Sequence, residues 1–268
     1  MKEFDYEKYV DYLIKYLKTK DKKYLVYATK FKNKTIPNNL FKYYSLAKDY
    51  KLNNKKLACL ENEEIYCPLI TELNDPFEGK NLILDEDKQK KYNISNNSLK
   101  VFLEVFEEIL RCTSFTANSF QSMPMWANYA NNHRGYCVEY EIDENIKDDF
   151  YIITYAFKRI NHPEIIYSYM ASCCNENVYM ENYTKKLMFL SLIVKHISWL
   201  YENEYKYLKF TEDKKIKLKA KNIYVGYNCS AIYKKRIIEI SKKINCNVYL
   251  MKNELINDSF DLKVVKVS

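Results

Sequence analysis

Glycine occurs three times in this chain of 268 residues, as Gly79, Gly135 and Gly226. An average soluble protein of the same length carries roughly 19, about 7%. The three are too far apart to build a dinucleotide fingerprint, a phosphate-cradling P-loop or a nucleophile elbow, each of which needs two or more glycines within a few residues. Any nucleotide bound by this chain is therefore held by side chains or by another backbone geometry.

Other composition excludes further classes. The chain has 43 Lys and Arg against 35 Asp and Glu, a formal charge of +8, and 27 Tyr beside 2 Trp. Lys, Asn, Ile and Tyr together read as the bias of an A- and T-rich coding sequence, so much of the basic charge needs no basic function; its direct physical implication is steering toward anionic partners. Eight cysteines, none in C-x-x-C spacing, and three histidines give no metal motif, so no metal is expected and the thiols read as reduced and buried. Charges interleave from Met1-Lys2-Glu3 onward, unlike a leader peptide. The longest apolar run, Leu187 to Val194, is far short of the roughly 20 residues of a membrane span. The expectation is a soluble, cytoplasmic protein without membrane partners.

Periodicity predicts an amphipathic helix over 4–17, a lysine-rich lead-in to Asn39, strands at 40–45 and 64–69 flanking a helix to Leu60, and a helix over 99–110. A strand follows at 112–116, then a short helix at 125–130 and strands at 136–140 and 151–155. The apolar stretch 183–197 reads as a buried helix; strands at 205–210, 223–225, 248–251 and 262–267 and a helix over 231–244 complete the chain. Strands and helices mix without βαβ alternation, which points to an α+β fold with a mixed or antiparallel sheet. Residues 1–39 read as an N-terminal helical extension and 40–268 as the main domain.

Four clusters stand out: Phe41-Lys42-Tyr43-Tyr44-Ser45; Asn74-Asp75-Pro76-Phe77-Glu78, closed by Gly79; Met125-Trp126-Ala127-Asn128-Tyr129 with His133-Arg134-Gly135; and Trp199-Leu200-Tyr201-Glu202-Asn203-Glu204-Tyr205-Lys206. In order and spacing from about Leu40 to Gly226 they resemble a bacterial family catalogued as domain of unknown function 2971. Its members show Y-K-Y-R, N-D-P-F-E, M-W-x-x-Y-x-x-x-H-x-G and W-x-x-E-x-E-Y-R. This chain departs from it at Tyr44 and Lys206, which stand where the family has arginine; tyrosine cannot replace a bidentate arginine, and lysine replaces it only as a point charge.

Glu202 and Glu204 at i and i+2 would face the same way in a strand, about 6 to 7 Å apart. Two carboxylates that close push one pKa up, which suits general-base work or stabilisation of a developing cation. The pair is similar to the E-x-E of ADP-ribosyltransferases of the Arg-Ser-Glu type, and so is the order of a basic strand residue (Lys42), small hydroxyls (Ser114, Thr116) and then E-x-E. A split sheet is the fold this resemblance implies, with NAD as substrate and a protein or nucleic acid as acceptor, in a toxin or phage-defence setting. It further implies that Glu204 stabilises the oxocarbenium ion and Glu202 positions or deprotonates the acceptor. Lys42, Ser114 and Thr116 would then hold the dinucleotide, and Tyr43 or Trp126 would pack on nicotinamide. Asp75, Glu78 and His133 are additional site candidates. On this reading Glu204→Gln should cut turnover and leave stability within about 1 kcal/mol.

Packing alone also accounts for much of this pattern: aromatics carry large apolar area, the Asn74 turn is a cap, and His133 precedes a turn. Two rival functions use the same residues. One is a non-catalytic module binding nucleic acid or protein through a basic, aromatic groove; the other is a hydrolase of NAD or another N-glycosidic bond.

Overall fold

The computed structural model describes residues 4–73, 75, 77, 85–159, 162–175, 186–256, 258 and 260–267. The chain opens with α1, Tyr6–Thr19, which begins where Asp5 accepts a hydrogen bond from the Lys8 amide. It buries Tyr6, Tyr9, Val10, Leu13 and Tyr16, the i, i+3, i+4 stripe of a helix packed on one side. The last turn of the next helix, α2 (Lys23–Asn33), carries the buried Lys32, whose Nζ donates to the carbonyls of Lys147 and Phe150 at 2.8 and 2.6 Å. These ion–dipole bonds tie the N-terminal helices to the strand that starts at Phe150. Helix α3, Tyr50–Glu61, is capped in the same way as α1, by Asp49.

The other helices are α4 (Glu86–Lys91), α5 (Asn96–Ile109), α6 (Met123–Tyr129), α7 (Pro163–Asn175) and α8 (Ala231–Lys243). The strands are β1 (Asn39–Tyr44), β2 (Glu64–Tyr66), β3 (Leu110–Thr116), β4 (Tyr136–Glu141), β5 (Phe150–Ile152), β6 (Thr154–Ala156), β7 (Val194–His196), β8 (Glu204–Phe210), β9 (Lys215–Lys217), β10 (Ala220–Val225), β11 (Asn247–Leu255) and β12 (Leu262–Lys266).

Among the described residues eight strands form one mixed sheet in the order β12-β11-β10-β4-β1-β3-β8-β5. β10 and β11 run parallel and the other neighbours antiparallel, so the fold is α+β. Period-2 alternation divides the sheet's faces. Cys112 and Leu208 face α1, α5 and α7, while Phe115, Tyr205 and Tyr207 face α3 and α8. A third cluster, built on Trp126, Tyr43 and Tyr224, lies under α6.

The sheet is weakest at its middle. β1 pairs with β4 over the full length from Asn39 to Tyr44, and β3 pairs with β8 from Leu110 to Thr116, but β1 meets β3 in register only at Phe41 and Thr116. Two well-laddered halves thus part between β1 and β3. Lys42 reaches across the gap, its Nζ donating to Thr113 Oγ1 at 2.9 Å and to the Ser114 carbonyl at 2.7 Å. Its ammonium satisfies backbone that a continuous ladder would otherwise pair.

One expected element differs. Residues 183–185 lie outside the described residues, and from 186 onward the apolar run is not a helix: a 3-10 turn over Lys186–Ser191 leads into β7, which pairs with β6. Leu187 to Leu190 and Leu192 to Val194 are all buried. Continuous burial carries no period by which to tell helix from strand, and the edge of β6 decides. The sequence reading also passed over α4, α7 and β9, the strand that pairs with β2.

Two of the three glycines are explained by close backbone approach. A Cβ on Gly135 would lie 1.8 Å from the Tyr44 carbonyl oxygen, and one on Gly226 would lie 2.2 Å from that of His133. The Gly226 amide donates to the Gly135 carbonyl at 3.0 Å, so the ends of β1, β4 and β10 converge where only hydrogen fits. Gly79 lies outside the described residues.

Candidate active site

The gap between β1 and β3 opens into a cleft of about 940 Å³, the size of a small-molecule site. Phe41 to Tyr44 of β1, Thr113 to Thr116 of β3, part of α3, and Glu202 and Glu204 line it. Five lysines and three glutamates take part in the lining: Lys42, Lys55, Lys56, Lys195 and Lys215 against Glu64, Glu202 and Glu204. The cleft therefore favours an anionic ligand while holding two carboxylates at one place.

That place is formed by a bend rather than by an extended E-x-E. A 3-10 turn over Ile197–Glu202 ends at Asn203, whose φ of 44° and ψ of 56° are left-handed, and Glu204 then opens β8. Asparagine tolerates that conformation better than other non-glycine residues. The bend keeps both carboxylates together by a different route from the expected strand alternation: Lys195 Nζ lies 2.7 Å from Glu202 Oε2 and 2.9 Å from Glu204 Oε2. The three side chains are 10%, 6% and 3% exposed respectively. The Lys195 ammonium also sits 4.7 Å from the centre of the Trp199 ring, a cation–π contact. Tyr129 donates its hydroxyl to Glu202 Oε1, and the Glu204 amide donates to the Tyr155 hydroxyl at 2.8 Å.

The two acids are biased in opposite directions. Burial pushes the Glu202 carboxyl up, and the hydrogen bonds from Lys195 and Tyr129 only partly offset it, so it stays above the ordinary value. Burial also acts on Glu204, but the charges of Lys206 and Lys195, with the Ser114 hydroxyl nearby, outweigh it and hold that carboxyl below the ordinary value. Glu204 Oε1 nevertheless makes no hydrogen bond of good geometry. A buried, charged oxygen without such a bond is costly. Lys206 itself is 1% exposed and donates to the Leu192 carbonyl at 3.2 Å. It stands beside Glu204 as a local positive charge.

Of the residues singled out from sequence, Lys42, Tyr43, Ser114, Thr116, Glu202 and Glu204 line the cleft. Thr116 is held there by donating to the Glu202 carbonyl. Lys42 lies on the α3 face of β1 with Leu40 and Tyr44, across the sheet from the carboxylates. Its ammonium is pulled below the usual lysine value by burial, and the strand gap occupies it.

Trp126 is not in the cleft. It is fully buried, donates Nε1 to the Phe120 carbonyl at 2.6 Å and packs edge-on to Tyr43 at 5.2 Å, so it supports β1 and cannot touch a ligand. His133 also lies away from the carboxylates, stacked on Trp126 at 5.1 Å and tilted on Tyr227 at 4.4 Å. Burial lowers its pKa. Asp75 forms an Asx turn with the Phe77 amide at 2.9 Å and faces a second, smaller pocket. Glu78 lies outside the described residues.

Sequence reasoning missed Lys195. The signal was present, because Lys195 is the only Lys, Arg, Asp or Glu between Lys186 and Glu202, and a lone charge in an apolar run needs a partner when it is buried. Among the described residues no three His, Cys, Asp or Glu side chains cluster as a metal site would require, and no helix is long and apolar enough to cross a membrane.

No curated protein and no solved structure matches the chain. The segment that carries α6, the turn at His133, Lys195 and both glutamates does match a family model: residues 125–207 are similar to the family described as a protein of unknown function, DUF2971.

Proposed function

We propose that this protein is an enzyme that cleaves the nicotinamide–ribose bond of NAD and transfers ADP-ribose to a macromolecular acceptor. The observation that carries the reading is the pair of buried carboxylates, biased in opposite directions, in a lysine-rimmed cleft at the split of the sheet. Two acids whose environments push their pKa values apart take different roles in one reaction. Glu204, held ionised, faces the cation. As the C1′–N bond breaks, its electron pair leaves with nicotinamide, which departs neutral, and the ribose carries oxocarbenium character that the Glu204 carboxylate stabilises. Glu202, with its raised pKa, accepts the proton of the acceptor hydroxyl or amine as the new bond to C1′ forms.

The chain's remaining residues bind and orient. Lys55 of α3, exposed at the cleft rim, puts positive charge there for the diphosphate, beside Lys56 and Lys215, whose ammonium groups are held by Ser45 and Glu64. Tyr129 fixes Glu202 by its hydroxyl, and Ser114 and Thr116 form the wall beside Glu204. The six cysteines among the described residues that are free, five of them buried, fit a reducing, cytoplasmic setting.

The experiment is nicotinamide release from NAD by the purified protein, with and without cell extract as acceptor source, followed by mass spectrometry for ADP-ribosyl products. Wild type should release nicotinamide, and Glu202→Gln, which keeps the hydrogen bond to Lys195, should reduce transfer by about 100-fold or more. Free ADP-ribose as the sole product would convert the assignment to a hydrolase. A folded wild type that neither binds nor consumes NAD refutes it.

A further inference from the structure

Next to the cleft lies a second pocket of about 380 Å³. Lys195 lines both, so the residue that bridges the two glutamates is shared by the two pockets. The second pocket is also basic. Its exposed charges are Lys158 and Arg159; Lys195 and Lys206 also line it but face the Glu202 and Glu204 carboxylates, and Asp75 is the acid among its lining residues. Aromatic rings are interleaved with these charges: Phe157 is 80% exposed, Phe77 is 61% exposed, and Trp199 is partly exposed.

Large exposed rings beside cations are poorly explained by folding. Phe157 gains little from burial where it stands, and its neighbours Lys158 and Arg159 make the surface positive. Flat apolar faces set among phosphate-binding charges are what single-stranded nucleic acid requires: bases stack on the rings while the backbone follows the cations. An acidic polypeptide would use the charges but leave the rings without a role. We propose that this second pocket is the acceptor subsite and that the acceptor is single-stranded nucleic acid. The inference rests on the ADP-ribosyl-transfer reading for the word acceptor, and on the pocket alone for the ligand class. The nucleophile would approach past Lys195, on the side where Glu202 can take its proton.

The test uses fluorescence anisotropy with labelled mixed-sequence DNA and RNA 20-mers, a labelled polyglutamate peptide as the rival ligand, and nicotinamide release measured in parallel. Wild type should bind a single-stranded 20-mer, and affinity should fall about tenfold or more between roughly 50 and 200 mM salt. Lys158→Glu with Arg159→Glu should weaken binding at least about tenfold, and Phe157→Ala, which leaves charge unchanged, by about fivefold or more. All of these positions are exposed, so thermal melts should match wild type. Mass spectrometry of the oligonucleotide after incubation with NAD should show an ADP-ribose adduct. Lack of oligonucleotide binding, binding indifferent to these substitutions, or preference for polyglutamate overturns the proposal. Nicotinamide release keeps the two readings apart. Release without oligonucleotide binding sinks only the acceptor, whereas binding at this patch without any NAD consumption sinks the transferase reading and the acceptor role with it.

Discussion

Replacing Lys195 with methionine removes an ammonium that Glu202 and Glu204 share at 2.7 and 2.9 Å, while keeping most of the side-chain volume. All three groups are at most 10% exposed, so solvent screens the interaction little. Removing one partner of a buried ion pair costs about 3–5 kcal/mol. Two features reduce that here: Glu204 keeps the charge of Lys206, and Glu202, already raised, can escape by taking up a proton. We therefore expect the low end, about 3 kcal/mol, at pH 8.

The pH dependence has a definite sign. In the variant the folded chain holds a carboxyl proton more tightly than the unfolded chain, so between the ordinary carboxylate value and the raised folded value stability falls as pH rises. The slope approaches about 1.4 kcal/mol per pH unit, and the deficit should shrink to about 1–2 kcal/mol near pH 5. Urea denaturation of wild type and variant at four pH values between these limits measures it, with Lys195→Arg as the variant that retains the charge. A loss that is equal at pH 5 and pH 8, or below about 1 kcal/mol throughout, would refute the idea that Lys195 is the buried counter-ion of the pair.

Other outcomes follow from the same geometry. Tyr129→Phe removes a donor that favours the charged form of Glu202. Activity, which is lost as pH falls through the raised Glu202 pKa, should therefore begin to fall at a higher pH in the variant, as read from the acid limb of a kcat/KM profile. Glu204→Gln, expected from sequence to be nearly neutral for stability, should instead cost about 3 kcal/mol, because it removes the buried carboxylate that pairs with Lys195 and faces the charge of Lys206; a denaturation curve decides between the two values. Gly135→Ala drives a methyl group into the Tyr44 carbonyl and should lower stability by about 2 kcal/mol or more, whereas alanine at the exposed Lys158 should change it by less than about 0.5 kcal/mol.

Much of the fold was legible because it is written locally. Asp5 and Asp49 cap helices by bonding amides three residues on, and the strand composition of 40–44, 112–116 and 205–208 marks strands; both depend only on near neighbours. The glutamates and the small hydroxyls could be named for the same reason, since their spacing lies within a few residues. What stayed hidden depends on partners distant in sequence. Whether the apolar run before Lys195 is helix or strand is decided by the free edge of β6. Trp126, conspicuous as a candidate ligand contact, is sealed behind β1 by Tyr43 and the Phe120 carbonyl. Lys42 and Glu204 both line one cleft, yet β1 and β8 turn them to opposite faces. The sequence by itself determined which residues carry charge, where the three glycines fall, and that two acids stand two residues apart. Only the tertiary structure decided that one lysine meets both acids and that the sheet parts beside them. Charge pairing and strand separation are properties of distances through space, and no spacing along the chain encodes those.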